Sequence, residues 1–283
     1  MSIVINHLTF AYTQGGKRLE PTLRDLTFTI DEGSFLGIIG HTGSGKSTLV
    51  KHLNGLIPCE QGTVVVDGHD LSVKAERKTV RSLVGMVFQY PEYQLFAETV
   101  FEDVAFGPRN MKLDDAEIKD RVGNAMKLVG LDPERFSSRS PFDLSGGERR
   151  RAAIAGVLAM QPKYLVLDEP MAGLDPLGRK EILSLLEKLR TESSCTIIMI
   201  SHSMDDIANH ATKVLVLDKG TVFLYDTPQS VFSKAEALQQ IGLSVPGVTK
   251  ICFELKKRGV AIPTSICTED AFLDWIREEN RHA

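Results

Sequence analysis

Apolar residues form short runs that alternate along the chain with longer segments of helical periodicity. Some runs alternate with polar residues, which is the pattern of a half-buried strand, and others are unbroken, which indicates a strand covered on both faces. Strand character is found at positions 3–10, 26–30, 35–39, 64–66, 84–88, 164–168, 196–200, 214–217 and 221–224. The last two runs flank the turn Asp218-Lys219-Gly220 and predict a hairpin.

Helical periodicity fills most of the intervals between these runs. Predicted helices cover 47–56, with Leu56 on the apolar face, then 98–106, 114–129 and 147–160, and a further helix begins at Pro176 with Asp175 as its N-cap. From about position 232 the pattern is helical, and Thr268 predicts the cap of a last helix. We expect an α/β fold with a mostly parallel sheet over 1–230, antiparallel strands near its N-terminus, a helical insertion at about 90–162 and a C-terminal helical extension over 231–283.

A glycine-rich stretch directly follows the unbroken run 35–39. It reads Gly40-His41-Thr42-Gly43-Ser44-Gly45-Lys46-Ser47-Thr48 and fits the pattern G-x-x-x-x-G-K-[ST]. The glycines let backbone N–H groups point at phosphate oxygens, and the following helix offers its N-terminus to an anion. We expect Lys46 to reach the β- and γ-phosphates of a nucleotide and Ser47 to be a Mg²⁺ ligand. The alternative is a glycine-rich turn that binds nothing.

Polar residues stand at the ends of other predicted buried strands, namely Gln89, Asp168, Glu169 and His202. Because parallel strands place their carboxyl ends at one edge of a sheet, these side chains are expected near Gly40. We expect Asp168 to hold Mg²⁺, directly or through water, and Glu169 to polarise a water in line with the γ-phosphate. A lone histidine is usually structural, but the position of His202 beside the other strand ends favours a donor to the γ-phosphate and the attacking water.

Two further segments carry weaker signals. Tyr12 lies between the first two strands, where it would stack on an adenine ring or simply be packed. The stretch Leu144-Ser145-Gly146-Gly147-Glu148 precedes a predicted helix. A hydroxyl and glycine N–H groups at a helix N-terminus make a second anion cradle, although small residues in this position are commonly only a cap.

The loop after Gln89 is unusually aromatic, with Tyr90, Tyr93 and Phe96 close together. Four carboxylates surround it in the sequence: Glu92, Glu98, Glu102 and Asp103. Exposed apolar groups ringed by carboxylates suit a groove for a basic amphipathic helix. The alternative is that the aromatic residues only anchor the helical insertion.

Composition narrows the class of protein further. The 283 residues are 42% hydrophobic and 25% charged, with a net charge of −4, which argues against nucleic acid as a partner. The four cysteines have no metal-binding spacing and suggest reduced cytosolic thiols. The N-terminus leads straight into a strand pattern, which predicts no signal peptide, and no apolar run approaches the ~18 residues that cross a bilayer.

Over about residues 1–230, six motifs resemble those of the nucleotide-binding subunit of ATP-binding cassette (ABC) transporters and follow each other in the same order. They lie at 40–47, Gln89, 144–148, 165–169, 173–175 and His202. The resemblance implies a RecA-like P-loop NTPase fold, ATP and Mg²⁺ as cofactors, and two ATPase subunits facing each other head to tail. It assigns Tyr12 to adenine stacking, Gln89 to contact with Mg²⁺ and the attacking water, and Asp175 to the dimer interface. Within the segment Ser145-Gly146-Gly147-Glu148, Ser145 and Gly147 would meet the γ-phosphate on the partner subunit.

A narrower resemblance is to the energy-coupling factor ATPases, which power importers of vitamins and transition-metal ions. It is carried by Phe88-Gln89-Tyr90-Pro91-Glu92-Tyr93-Gln94-Leu95-Phe96, by Val104-Ala105-Phe106-Gly107-Pro108 and by the stretch 246–263. Three short segments look most like the second ATPase of systems that use two different ATPases. They are Gly40-His41-Thr42-Gly43, Ser140-Pro141-Phe142-Asp143-Leu144 and Pro170-Met171-Ala172-Gly173-Leu174.

This resemblance implies a peripheral subunit on the cytoplasmic face of the cell membrane. Its partners would be a second ATPase, a heterodimer being favoured over a homodimer, a transmembrane coupling subunit and, through the complex, a small substrate-binding membrane subunit. The C-terminal extension is expected to pack on the core and partly on the partner ATPase, the alternative being packing within this chain alone. The rivals are an ordinary ABC importer or exporter subunit, a soluble ABC ATPase acting on DNA or ribosomes, and a nucleotide switch without useful hydrolysis.

Overall fold

Two larger sheets and a small hairpin contain all the strands of the computed structural model, which describes residues 2–282. The strands are β1 (Ser2–Phe10), β2 (Thr13–Gln14), β3 (Lys17–Arg18), β4 (Leu23–Asp31), β5 (Phe35–Gly40), β6 (Val64–Val66), β7 (His69–Asp70), β8 (Val84–Val87), β9 (Tyr164–Asp168), β10 (Thr196–Ile200), β11 (Lys213–Asp218) and β12 (Thr221–Asp226). Each run with predicted strand character is a strand, so the hydrophobic pattern identified these elements correctly.

The helices follow the predicted order. They are α1 (Lys46–Leu53), α2 (Lys74–Leu83), α3 (Val100–Asn110), α4 (Asp115–Leu128), α5 (Pro133–Phe136), α6 (Gly146–Leu158), α7 (Pro176–Ser193), α8 (Met204–His210), α9 (Pro228–Phe232), α10 (Ala235–Gln240), α11 (Gly247–Lys257) and α12 (Glu269–His282). Short 3₁₀ turns occupy Pro91–Gln94 and Pro141–Asp143. Over residues 2–282, none of the helices is both long and apolar enough to cross a membrane.

One helix is shorter than predicted. The apolar spacing suggested that the helix after the glycine-rich loop extends to Leu56, but α1 ends at Leu53 and Leu56 is exposed. Gly55 adopts a left-handed conformation with φ of 67°, and its N–H bonds to the carbonyl of His52. This turn ends the helix, so Leu56 no longer shares the buried face.

The central sheet has the order β12-β11-β5-β10-β9-β8. Its pairs from β11 to β8 are parallel, and β12 adds an antiparallel edge. Alternate residues of β9 enter different hydrophobic clusters, with Leu165 and Leu167 on one face and Tyr164 and Val166 on the other. Burial on both faces explains why these strands are unbroken apolar runs.

The smaller sheet is antiparallel, with the order β4-β1-β6-β7, and it shares a hydrophobic cluster with one face of the central sheet. Polar contacts join the two sheets at the β6–β7 turn. The Tyr164 hydroxyl donates to Asp67 Oδ1 at 2.5 Å, and Lys163 Nζ donates to Asp67 Oδ2 at 2.7 Å. These contacts hold the carboxylate of the turn against the start of β9.

The last part of the chain divides between two clusters. Val231, Phe232 and Leu238 are fully buried in the large cluster that also contains the strands and the helical insertion. A separate small cluster begins at Val248 and includes Cys252. The boundary predicted at residue 230 remains a prediction, but side-chain packing places the first part of the extension in the main core.

We predict that Phe232→Ala lowers the free energy of unfolding by about 3–5 kcal/mol, because it opens a cavity in that core. Phe223→Ala is the matched control, since Phe223 is 38% exposed on β12. Its cost should stay below about 1 kcal/mol. Urea denaturation of the two variants measures the difference, and equal small losses would show that 231–245 does not belong to the main core.

Candidate active site

The glycine-rich loop connects β5 to α1 through backbone conformations that need glycine. Gly40 has φ of 155°, and a Cβ there would lie 2.4 Å from the carbonyl oxygen of Leu217. Gly45, the N-cap of α1, has φ of 103°. The Ser44 hydroxyl is buried in this loop and has no hydrogen-bond partner among the described residues. An unpaired buried hydroxyl in a glycine loop at a helix N-terminus fits a phosphate ligand.

Lys46 lies inside the loop rather than in solvent. Its side chain is largely buried, and Nζ donates to the carbonyl oxygens of Gly40 at 2.7 Å and His41 at 2.8 Å. Burial lowers the pKa of Lys46, and the nearby charges of Glu169 and Asp168 act in the opposite direction. The ammonium group therefore lies between the loop carbonyls and the carboxylates that end β9.

Asp168 and Ser47 face each other across the loop. Burial raises the pKa of Asp168, while a hydrogen bond from the Ser47 side chain lowers it. The pair supplies one hydroxyl and one carboxylate oxygen, which are donors that Mg²⁺ accepts when phosphate oxygens and waters complete its shell. The donor set at this position thus fits the ion expected from the sequence.

Glu169 and His202 form the second pair at the sheet edge. His202 Nε2 lies 2.8 Å from Glu169 Oε1; Glu169 directly follows β9, and His202 stands two residues after the end of the neighbouring strand β10. Glu169 adopts a left-handed φ of 52°, unusual for a residue with a side chain, and its N–H donates to the carbonyl of Ile200. Such strain is retained where surrounding structure enforces it, commonly at functional sites.

Tyr12 and Gln89 lie at the borders of this arrangement. The Tyr12 hydroxyl is 3.2 Å from Thr48 Oγ1, and its ring makes an edge contact with Phe10 at 4.8 Å. Tyr12 is 40% exposed. Gln89 is exposed two residues after the end of β8, at the same edge of the sheet as the ends of β5 and β9.

The segment Ser145–Glu148 begins α6 as a capping box. Ser145 Oγ accepts from the Glu148 N–H at 3.3 Å, and Glu148 Oε2 accepts from the Ser145 N–H at 2.8 Å. Asp175 caps α7 by accepting from the Gly178 N–H at 2.7 Å, as predicted. Gly147 and Asp175 line a common cavity of about 980 Å³. The structure brings these two segments together on a surface of their own, apart from the phosphate loop.

The carboxylates around the aromatic loop do not form the acidic ring expected from the sequence. Glu92 lies 3.3 Å from the buried guanidinium of Arg150, and Glu102 pairs with Arg109. Asp103 is buried and accepts from the N–H groups of Phe96 and Ala97. Only Glu98 of the four is exposed without an ion pair among the described residues. The acidic-ring prediction was wrong because three of the carboxylates are used inside the subunit.

A groove nevertheless lies beside this loop. Its volume is about 910 Å³, and its apolar lining includes Leu95, Phe96 and Phe106. The rings of Phe96 and Phe106 meet edge-to-face, with their centroids 5.1 Å apart. The charged residues that line the groove besides Asp103 are basic: Lys78, Arg81 and Lys112. An apolar groove is therefore present, but its charge is opposite to the one expected.

The C-terminal extension makes two contacts that sequence reasoning missed. The carbonyl oxygen of Ile241 is hydrogen-bonded to the His41 ring nitrogen within the phosphate loop. The Gly247 N–H donates to Asp205 Oδ1 at 2.9 Å, in the helix that follows His202. Both contacts use backbone atoms of the extension, so no side-chain pattern indicated them.

The central sheet and the glycine loop together define a P-loop nucleoside triphosphatase fold. Residues 23–172 match the family model described as ABC transporter. The chain is 49% identical, over 95% of its length and 94% of the relative's, to the energy-coupling factor transporter ATP-binding protein EcfA2 of Caldanaerobacter subterraneus subsp. tengcongensis. It is 48% identical to the protein of that name from Clostridium tetani, over 100% of this chain and 99% of the relative.

Solved structures give the same assignment. CbiO1 of Clostridium perfringens, described as part of the ABC transporter complex CbiONQ, superposes with a TM-score of 0.72 and 37% identity, over 85% of this chain and 94% of that one. A dimeric post-hydrolysis structure of the ATP-binding cassette MJ0796 with ADP and inorganic phosphate gives a TM-score of 0.70 at 28% identity, over 80% and 98% of the two chains. The chain belongs to the ABC transporter ATPases, in the family of energy-coupling factor transporter ATP-binding proteins.

Proposed function

We propose that this chain is the ATP-hydrolysing subunit of an importer of the energy-coupling factor type, with ATP binding closing an ATPase dimer and hydrolysis reopening it. The observation that carries the proposal is the convergence of Lys46, Asp168, Glu169 and His202 beside the phosphate loop. The names of the relatives favour this function over an ordinary ABC importer or exporter and over a soluble ATPase acting on nucleic acid.

ATP would lie with its phosphates in the loop 40–48. The ammonium of Lys46 would exchange its two carbonyl partners for phosphate oxygens, and the unpaired Ser44 hydroxyl would gain a partner. The adenine ring would stack on Tyr12. Ser47, Asp168 and Gln89 would hold Mg²⁺, which supplies charge neutralisation to the phosphates.

Glu169 would polarise the attacking water, and His202 would hold the same water and the γ-phosphate. Their 2.8 Å contact supports a shared task, since the imidazole fixes the direction of the carboxylate while the strained backbone of Glu169 keeps it at the sheet edge. General-base assistance of this kind is worth about 10²–10⁴-fold in rate.

A second ATPase subunit would complete each site. The N–H groups of Ser145 and Glu148 are used in the capping box, so the N–H groups of Gly146 and Gly147 at the N-terminus of α6 would be the donors to a phosphate on the partner subunit. Asp175 shares the cavity beside Gly147 and would cross the interface. A different ATPase, rather than a second copy of this one, is the favoured partner, because the relatives carry a numbered subunit name.

The remaining partners would be membrane proteins, a transmembrane coupling subunit and, through it, a small substrate-binding subunit. This chain would then be peripheral, on the cytoplasmic face of the cell membrane. The groove beside Phe96 and Phe106 offers an apolar surface for an amphipathic helix of the coupling subunit. Its basic rim favours a helix with acidic or polar flanks.

The role of Glu169 is tested by Glu169→Gln in the assembled complex, with the partner's own site disabled. ATP affinity should be unchanged, and turnover should fall by at least ~10²-fold, because the base is lost while the phosphate loop remains. Phosphate release and equilibrium nucleotide binding measure the two quantities. Near-normal hydrolysis would refute this assignment.

The composite site is tested by Ser145→Arg, which places bulk and positive charge at the N-terminus of α6. ATP binding to this chain's own loop should be unaffected, and hydrolysis at the site completed on the partner should be abolished. The measurement is single-site turnover in a dimer whose other site carries the Glu169→Gln change or its equivalent. If isolated monomers hydrolysed ATP at the rate of the complex, the head-to-tail arrangement would be wrong.

The docking groove is tested by Phe106→Glu, which introduces a carboxylate beside Phe96. Phe223→Glu is the control, since it charges an exposed phenylalanine on the opposite edge strand of the sheet. We expect the first variant to lose co-purification of membrane subunits in mild detergent and to retain ATP binding, and the second to assemble normally. Normal assembly of both variants would exclude the groove as the docking site.

A further inference from the structure

The buried guanidinium of Arg150 contacts two loops that the proposed function leaves unconnected. Arg150 lies on the second turn of α6, after the Ser145–Glu148 segment, and is only 4% exposed. A buried cation is costly unless its N–H groups are paired, so its partners indicate what holds this part of the fold together.

The first partner is the turn that follows Glu169. Arg150 Nη1 donates to the carbonyl oxygen of Ala172 at 2.6 Å. The N–H of the same Ala172 donates to the carbonyl of Glu169 at 3.2 Å. Ala172 therefore joins the Arg150 contact, through its carbonyl, to the hydrogen-bonded turn that begins at Glu169, through its N–H.

The second partner is the short 3₁₀ turn that follows Gln89. Arg150 Nε lies 3.3 Å from Glu92 Oε2, but the angle does not satisfy a hydrogen bond. These two atoms and Arg150 Nη2 are buried and have no hydrogen-bond partner among the described residues. A buried ion pair with such poor geometry is under-satisfied, and a small movement of either loop would improve or break it.

We infer that Arg150 is a positioning residue that ties the loop after Gln89 to the turn after Glu169. The loop carries Leu95 and Phe96 of the groove, and the turn carries Asp175 toward the surface shared with Gly147. Displacement at the groove would move Glu92, and through Arg150 it would move Ala172 and the backbone of Glu169. The inference rests on the proposed function, because it concerns the setting of Glu169 for ATP hydrolysis.

The test is ATP turnover by the complex purified through a tag on this chain, with Arg150→Met, Glu92→Gln and the double variant. We expect each single change to lower kcat about 10-fold, which is in the upper part of the range for residues in a coupling network. The KM for ATP should change by less than about twofold, because ATP binding does not depend on this contact. The double variant should be no slower than Arg150→Met, because both changes break one connection.

Arg121→Met is the matched control. Arg121 is a partly buried guanidinium of the helical insertion that donates to Glu117 and to the carbonyl of Met160, and within residues 2–282 none of its hydrogen bonds reaches one of the motifs. Its kcat should equal that of the unchanged chain. If Arg150→Met does not fold, Glu92→Gln decides the question alone, since Glu92 lies nearer the surface than Arg150.

Two results would overturn the inference. One is a kcat for Arg150→Met, or for Glu92→Gln, equal to that of Arg121→Met. The other is a double variant whose loss is the product of the two single losses. Glu169→Gln in the same preparation separates these results from failure of the proposed function, because hydrolysis that ignores Glu169 would refute that function whatever Arg150 does.

Discussion

The burial of the Lys46 ammonium group constrains this structure more than any other single interaction. A positive charge that is shielded from water needs hydrogen-bond acceptors or negative charges nearby. Lys46 has two loop carbonyls as acceptors and the carboxylates of Asp168 and Glu169 as opposite charges. The carbonyls require the turn at Gly40, and the carboxylates require that β9 ends at the same edge of the sheet as β5. The strand order β5-β10-β9 meets both conditions and leaves the end of β10 between them.

That middle position explains why His202 meets Glu169. Ile200 is the register partner of Asp168, so Glu169, directly after β9, and His202, two residues after β10, leave the same sheet edge side by side. The contact between His202 and Glu169 is therefore a consequence of parallel register, with the strained φ of Glu169 as a local adjustment.

The features that could be predicted from the sequence are those with a short period or a fixed spacing. Unbroken apolar runs located the buried strands, and the polar residue after each run located the sheet edge, because strand burial depends on local composition. Asp175 was identified as an N-cap from an equally local signal, since it directly precedes the proline that begins the helix. The partner of Glu92 was not predictable. Arg150 lies 58 positions away in the sequence, and the periodicity of α6 does not show which neighbouring segment its side chain meets. Glu102 and Asp103 were misjudged in the same way, because a carboxylate looks solvent-exposed until its partners are known.

The attachment of the C-terminal extension shows a further limit of side-chain patterns. Ile241 and Gly247 approach the phosphate loop and the helix after His202 through a carbonyl and an N–H group. Backbone groups are present at every position, so such contacts leave no trace in the residue types. They also place the extension against the phosphate loop and against α8, the helix that follows His202. The extension thereby connects His41 and Asp205 to the main core, in which its Val231, Phe232 and Leu238 are fully buried.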